Sequence, residues 1–262
     1  QAVAIGKMGI NVEIIGKIGE DEFGRMLVKS LKEANVGIDG LAISKCDKTG
    51  AAFIMVNHTG NNTIVVAPGA NYKLSIEDIK MRENQLLSAD ILVMQMEIPM
   101  DVVSYIVDWA KEKDKVIVLN YAPAVEITIE VLAKVDYLIM NEIEFQSITK
   151  EELRFENSED SIKAIRKLYK NNLIVTLGDK GSIILDSKDE FAKISPYKVQ
   201  AIDSTGAGDA FMGGFILGII MGESVANSAK LGNASGAIAV KKIGAQPSFP
   251  DKEELSNFLK TF

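Results

Sequence analysis

Short apolar runs that end in a polar residue or a glycine recur along this chain, separated by stretches with helical spacing. "ADILVMQ" (Ala89–Gln95), "KVIVLN" (Lys115–Asn120), "DYLIMN" (Asp136–Asn141) and "LIVTLG" (Leu173–Gly178) have the length and composition of central strands buried on both faces. "VEIIGKIG" (Val12–Gly19) reads as one further strand. From Asp21 to Asn35, Phe23, Leu27 and Leu31 recur every four residues and predict a helix that buries that face. Strands alternating with helices predict an α/β fold, a mainly parallel central sheet flanked by helices. Ligands of such open sheets bind beyond the carboxyl ends of the strands, so the polar strand ends are the places to look for chemistry.

One region breaks the rhythm. "GAAFIMVNHTGNNTIVVAPGAN" (Gly50–Asn71) is two β-rich runs joined by a turn, with no helix between them. A hairpin of this kind does not fit inside a parallel sheet, so it predicts a projecting β-hairpin lid over about residues 42–67. Its apolar residues call for cover by a ligand or a partner subunit. No internal repeat, linker or charge block divides the rest, and residues 1–262 read as a single domain bearing this appendage.

Composition removes several classes of function. A formal charge of −7 argues against a nucleic-acid binder held by phosphate contacts. Cys46 is the only cysteine, which excludes an intrachain disulfide and a CxxC metal site. His58 is the only histidine, and its setting in "VNHTGNN" reads as an exposed loop tip. No apolar run approaches the ~20 residues that cross a bilayer. With no signal peptide visible, a reducing cytoplasmic setting is expected. The chain opens at Gln1, without Met and inside the helix-like "QAVAIGKMG", so a preceding segment is expected.

The densest chemistry lies in "QAIDSTGAGDAFMGGF" (Gln200–Phe215). Ala210, Phe211, Phe215, Ile216 and Ile219 continue as a helix, which puts the "TGAGD" glycines at its N-terminus. Unpaired backbone N–H groups and the positive end of the helix dipole suit phosphate oxygens there. Glycine lets the backbone approach such an anion, and Asp209 offers a carboxylate that can take a proton from a hydroxyl. A phosphate cradle beside a base suggests phosphoryl transfer to an alcohol. The alternative for an isolated "GAGD" is a tight turn at Gly208 with Asp209 supporting the helix start. The chain has neither a GxxxxGK[ST] loop nor a Rossmann GxGxxG.

"DSTGAGDAFMGGF" resembles the C-terminal signature of the ribokinase family of sugar and nucleoside kinases, DTTGAGD-x-F, with Ser204 in place of one threonine. "GKIGEDEFG", "GANYKLS", "MQMEIP", "LNYAPA", "NEIE", "TLGDKG" and "KKIGAQPSFP" match further family motifs in order, so the resemblance covers nearly the whole chain. Tyr121 and Met140 depart from prolines common in the family, and neither change removes a functional group.

The resemblance implies roles that the bare residues leave open. It makes Asp209 the catalytic base and Gly206, Ala207 and Gly208 the anion hole for ATP. Glu97, otherwise a solvated loop carboxylate, becomes a sugar ligand with Asp209. Asn141 and Glu144, otherwise a helix start with a solvent-facing glutamate, become the pair that organises Mg²⁺, largely through water. Thr176, Gly178, Asp179 and Gly181, otherwise a β-turn, become a nucleotide loop together with Asn141 and Gly208. Asn233, uninformative alone, aligns with the adenine pocket. A K⁺ site is implied at Asp203, Thr205, Ala239, Lys242, Gly244 and Ser248, mostly through backbone carbonyls, with the Lys242 ammonium facing away.

The implied reaction is ATP-dependent phosphorylation of D-ribose at O5, with Mg²⁺ and K⁺ as cofactors and a homodimer formed through the lid. Kinases acting on 2-deoxyribose, fructose or a nucleoside are the near alternatives, and a non-catalytic sugar- or nucleotide-binding fragment the distant one. A dehydrogenase finds no dinucleotide fingerprint in its support. In the family a "GGKGAN" run, a first strand and a sugar-gripping aspartate precede "QAVA", so weakened ribose binding and marginal stability are expected of the chain as it stands.

Overall fold

The computed structural model describes residues 1–56, 62–150, 153 and 158–262. Helix α1 (Ala2–Lys7) leads into two short strands, β1 (Val12–Glu13) and β2 (Gly16–Gly19), then helix α2 (Glu22–Glu33) and strands β3 (Val36–Gly37) and β4 (Leu41–Ser44). The single strand expected over Val12–Gly19 is therefore two, because the chain changes partner between them: β1 pairs in parallel with β3, and β2 with β4. Gly40 sits against this break, where an added Cβ would lie 2.5 Å from the Ile14 carbonyl oxygen.

Helix α2 starts where Asp21 accepts from the Gly24 N–H at 2.9 Å, an N-cap bond. Its buried face is one residue out of step with the expectation. Gly24 and Leu31 are buried, whereas Phe23 and Leu27 are exposed. Gly24 decides this, since it lies so close to the backbone of Gly19 that a Cβ would meet that carbonyl oxygen at 2.3 Å.

Strands β5 (Ala51–Val56) and β6 (Asn62–Ala67) pair antiparallel as a separate two-stranded ribbon, so the hairpin stands apart from the main sheet as expected. The lower edge of the expected lid range is different, since β4 belongs to the β2 pair. Phe53, Val65 and Val66 of the ribbon are exposed at 58%, 51% and 54%. His58 lies outside the described residues.

After helices α3 (Ile76–Lys80) and α4 (Glu83–Ser88), the main sheet is built from β7 (Ile91–Met94), β8 (Val116–Asn120), β9 (Tyr137–Asn141), β10 (Asn172–Thr176), β11 (Ser182–Leu185) and β12 (Phe191–Ile194), in that spatial order. The first four run parallel, and β11 and β12 continue antiparallel. Helices α5 (Met100–Glu112), α6 (Ile129–Leu132), α7 (Glu142–Thr149) and α8 (Ser158–Ala164) occupy the connections between parallel strands, and α9 (Ala207–Ile220), α10 (Val225–Ala239) and α11 (Lys252–Leu259) follow β12.

The pleat sends alternate residues of each strand into two different cores. Ile117 and Leu119, Leu138 and Met140, and Leu173 and Val175 join the cluster that includes Val103, Ile106 and Val107 of α5. Val118, Ile139 and Ile174, one residue out of phase, join Phe211, Met212 and Phe215 of α9. Both faces are thus apolar, which is why these strands read as continuous hydrophobic runs. Trp109, late in α5, is buried in the first cluster with its indole N–H donating to Glu83 at 3.2 Å.

Candidate active site

The parallel strands deliver the sequence-predicted residues to one edge of the sheet. Glu97 lies just after β7, Asn141 ends β9 and Thr176 ends β10. Asn141 and Thr176 are register partners, so these two sites are neighbours across the sheet.

Asn141 and Glu144 are locked together at the start of α7. The Asn141 side chain accepts from the Glu144 N–H at 2.9 Å, and Glu144 accepts from the Asn141 N–H at 2.8 Å, a reciprocal capping box. Glu144 is buried, not solvent-facing, and burial raises its carboxyl above the ordinary glutamate value against the lowering effect of the Asn141 bond. Among the described residues no donor reaches its other oxygen. One fixed carboxylate oxygen close to the end of β10 fits a water-rich Mg²⁺ site, and no cluster of three or more acidic, His or Cys side chains that could enclose a metal is present among the described residues.

The "TLGDKG" loop is the tight link between β10 and antiparallel β11, with Gly178 and Gly181 at φ +56° and +89°. Gly181 is packed so closely that a Cβ would lie 2.1 Å from the Ile194 carbonyl oxygen. Asn233 of α10 donates weakly, at 3.4 Å, to that same carbonyl and to Ser195. Gly181 and Asn233 therefore meet through the end of β12. Beside the loop a small cavity is lined by Glu142, Leu177, Asp179 and Lys180, of which Glu142, Leu177 and Lys180 had no place among the sequence-based assignments.

Gly206 caps α9 in the left-handed region, at φ +77°, with Ala207, Gly208 and Asp209 in the first turn. A Cβ at Gly206 would meet the Phe249 ring at 2.7 Å, whereas one at Gly208 would meet nothing within 4 Å. Gly206 is thus packed from behind and Gly208 faces open space, the arrangement that lets an anion reach the N-terminal N–H groups.

Asp209 and Glu97 stand close enough that the Asp209 charge raises the Glu97 carboxyl. The larger cause is loss of water around Glu97, even though one side of it remains open to solvent. The backbone nitrogen of Gln1 lies near both carboxylates, and its side chain accepts from Gln95 at 2.6 Å. Sequence spacing gave no sign of this meeting, since Gln1 and Asp209 are joined only by the packing of α1 along α9.

The residues implied for a monovalent cation also gather. Asp203 accepts from the Thr205 N–H at 2.9 Å and from the Gly244 N–H at 2.8 Å, tying the turn before α9 to the loop after α10. These bonds hold its carboxyl below the usual aspartate value, the Gly244 bond contributing most. The Ala239 carbonyl is taken by the Lys242 N–H at 3.0 Å. The carbonyls of Thr205, Lys242, Gly244 and Ser248 accept no hydrogen bond from the described residues, leaving their lone pairs available to a cation. The Lys242 ammonium turns away to Glu254, at 2.7 Å.

The chain matches the pfkB family carbohydrate kinases over residues 1–252. It belongs to that family. The kinase is 34% identical to the ribokinase of Haemophilus influenzae, over 99% of this chain and 85% of that one. It is 29% identical to the deoxyribokinase of Salmonella typhi with the same coverage, 99% and 85%. Among solved structures it resembles the ribokinase of Arabidopsis thaliana complexed with ribose and ATP, at a TM-score of 0.89 and 27% identity, covering 99% of this kinase and 85% of that chain. As a sugar kinase it is a phosphotransferase with an alcohol acceptor, and the expected sheet architecture is the one observed. No helix among the described residues is long and apolar enough to cross a membrane.

Proposed function

We propose that this kinase transfers the γ-phosphoryl group of ATP to O5 of D-ribose. The reading is carried by one observation: Asp209 stands in the first turn of α9, directly after the Gly206 turn, and near enough to Glu97 for its charge to be felt there. Glu97 accepts a hydrogen bond from a sugar hydroxyl and holds the ring. Asp209 takes the proton of the 5-hydroxyl as O5 bonds to the γ-phosphorus and the bond from that phosphorus to the ADP oxygen breaks. The N–H groups of Gly206, Ala207 and Gly208 receive the charge on the phosphoryl oxygens. Asp179, Gly178, Gly181, Thr176 and Asn233 hold the nucleotide.

Asn141 and Glu144 hold Mg²⁺ through its waters, which supplies charge neutralisation on the phosphates. Asp203 and the carbonyls of Thr205, Lys242, Gly244 and Ser248 hold K⁺. The Ala239 carbonyl, already bonded to Lys242, is the weakest of the proposed ligands. The lid ribbon exposes apolar residues on both faces, Phe53 beside its partner Val65 on one and Val66 on the other, which supports a homodimer that covers the ribbon; the setting is taken as cytoplasmic.

ADP release from MgATP tests the reading, with ribose, 2-deoxyribose or no sugar, in K⁺ and then in Na⁺. Ribose-dependent release faster in K⁺ is expected, and a preference for 2-deoxyribose would transfer the assignment to the deoxyribokinase branch. Asp209→Asn should lower kcat by about 10³-fold or more with MgATP affinity kept, and a loss under about tenfold would sink the assignment of the base.

A further inference from the structure

The loop over residues 244–249 carries two of the proposed cation carbonyls and is also the wall behind the anion turn. Phe249 and Ala245 are the groups that a Cβ on Gly206 would strike, at 2.7 and 3.0 Å. Apart from one short helical turn, Gln246–Ser248, the loop has no regular structure of its own to hold it. Phe249 anchors one end of it in the apolar cluster with Val3, Ala4 and Leu31, and a polar tie comes from the other end of the chain. Lys7 Nζ donates to the carbonyl oxygens of Gln246 and Phe249 at 2.9 and 3.0 Å. Ser30 of α2 adds a hydroxyl bond to the Gln246 side chain, and Asp203 holds the loop's first residue, Gly244.

The Lys7 ammonium is partly buried, and no carboxylate pairs with it among the described residues. Burial first, then the charge of Lys242, holds it below the ordinary lysine value, against the pull of Glu254 and Asp251. Helix α1 does not need this charge to stay in place, because Val3, Ala4, Ile5 and Met8 are all buried in apolar clusters. A costly, partly desolvated cation aimed at two carbonyls is therefore set to fix the loop.

We propose that Lys7 is a positioning residue for phosphoryl transfer. By holding the Gln246 and Phe249 carbonyls it fixes the loop, and through the Phe249 ring and Ala245 it fixes the Gly206 turn. The inference rests on the anion-turn reading given above. Lys7 acts on the phosphate end of the site, while Gln1, at the other end of the same helix, lies by the sugar carboxylates. Its removal therefore falls on kcat and on cation activation and spares the sugar KM.

The test compares Lys7→Met and Lys7→Arg in the full chain, with Asp209→Asn as reference and melting curves giving the folded fraction. Lys7→Met should lower kcat per folded molecule about tenfold or more, since small misplacements of reacting groups carry large rate losses. It should raise the K⁺ concentration for half-activation and leave the sugar KM within about twofold. Lys7→Arg, which keeps donors and charge, should recover most of kcat. Lys7→Met with kcat within about twofold of the parent, or with a raised sugar KM alone, overturns the proposal. If that variant does not fold, Phe249→Leu carries the test: it should show the same loss of kcat, and full kcat there breaks the proposed link from loop to turn. If the parent turns over too slowly for ratios, MgATP affinity by calorimetry replaces kcat, with about tenfold weakening expected and less than about twofold overturning. An active Asp209→Asn variant defeats the site reading itself, whereas an inactive one beside a fully active Lys7→Met defeats only the role of Lys7.

Discussion

Glu144 shows how a residue can serve the fold and the site at some cost to stability. Burial raises its carboxyl, so the ionised form is disfavoured in the folded state. The sign follows from linkage: the stability tied to this group is complete below the ordinary glutamate value of 4.5 and is lost as pH rises through the raised folded value. Glu144→Gln keeps an acceptor for the Asn141 N–H and removes the charge. It should melt above the parent at pH 8, with the gap closing as pH falls toward 4.5, and calorimetry across that range checks it. A gap that widens on acidification would contradict this account. Its turnover should also require more Mg²⁺. At this scale the sequence made Asp209 and the glycine turn legible, because one local run carries both the turn and the helix start. It hid the burial of Glu144 and the approach of Gln1 to Asp209, which only long-range packing creates.

The elements show two different uses of glycine in α9. Gly214 and Gly218 let α10 pack in close: a Cβ at Gly214 would lie 2.4 Å from Ser235 Oγ, and one at Gly218 would lie 2.6 Å from Ser228 Cα. Gly208, in the same helix, has open space where its Cβ would be. Gly214→Ala should therefore destabilise by about 1–3 kcal/mol, the cost of overpacking. Gly208→Ala should change stability by less than about 1 kcal/mol, since alanine is the better helix former. It should nevertheless lower kcat about tenfold or more by filling the space before the N–H groups. Thermal melts and steady-state rates on the pair check both halves. Equal melting points, or an active Gly208→Ala, would refute the division. The main strands were legible because both faces are apolar and the run is unbroken. The split of Val12–Gly19 was not, since a change of partner strand leaves the apolar pattern intact. Nor was the one-residue rotation of α2, where a glycine with no hydrophobic signal sets the contact.

For the molecule as a whole, one sheet edge gathers the proposed site residues while two cores of alternate residues hold the sheet from either side. The α/β architecture and the separate hairpin could be read from sequence rhythm. The carbonyls proposed for a cation could not, because they leave no trace in side-chain identity, and they entered only through the family resemblance. Trp109 gives this layout a spectroscopic consequence. It is the single tryptophan of the chain. Helix α5 starts three residues after Glu97 and carries Trp109 about 14 Å from its first turn, at 1.5 Å per residue, away from the proposed site. Its emission should therefore be blue-shifted in the native protein, move to the red on unfolding in urea, and stay unchanged when ribose and MgATP are added. The intrinsic fluorescence of this kinase would report the state of its α5 core and be silent on catalysis, so a titration that did move it would reveal a rearrangement carried through the sheet.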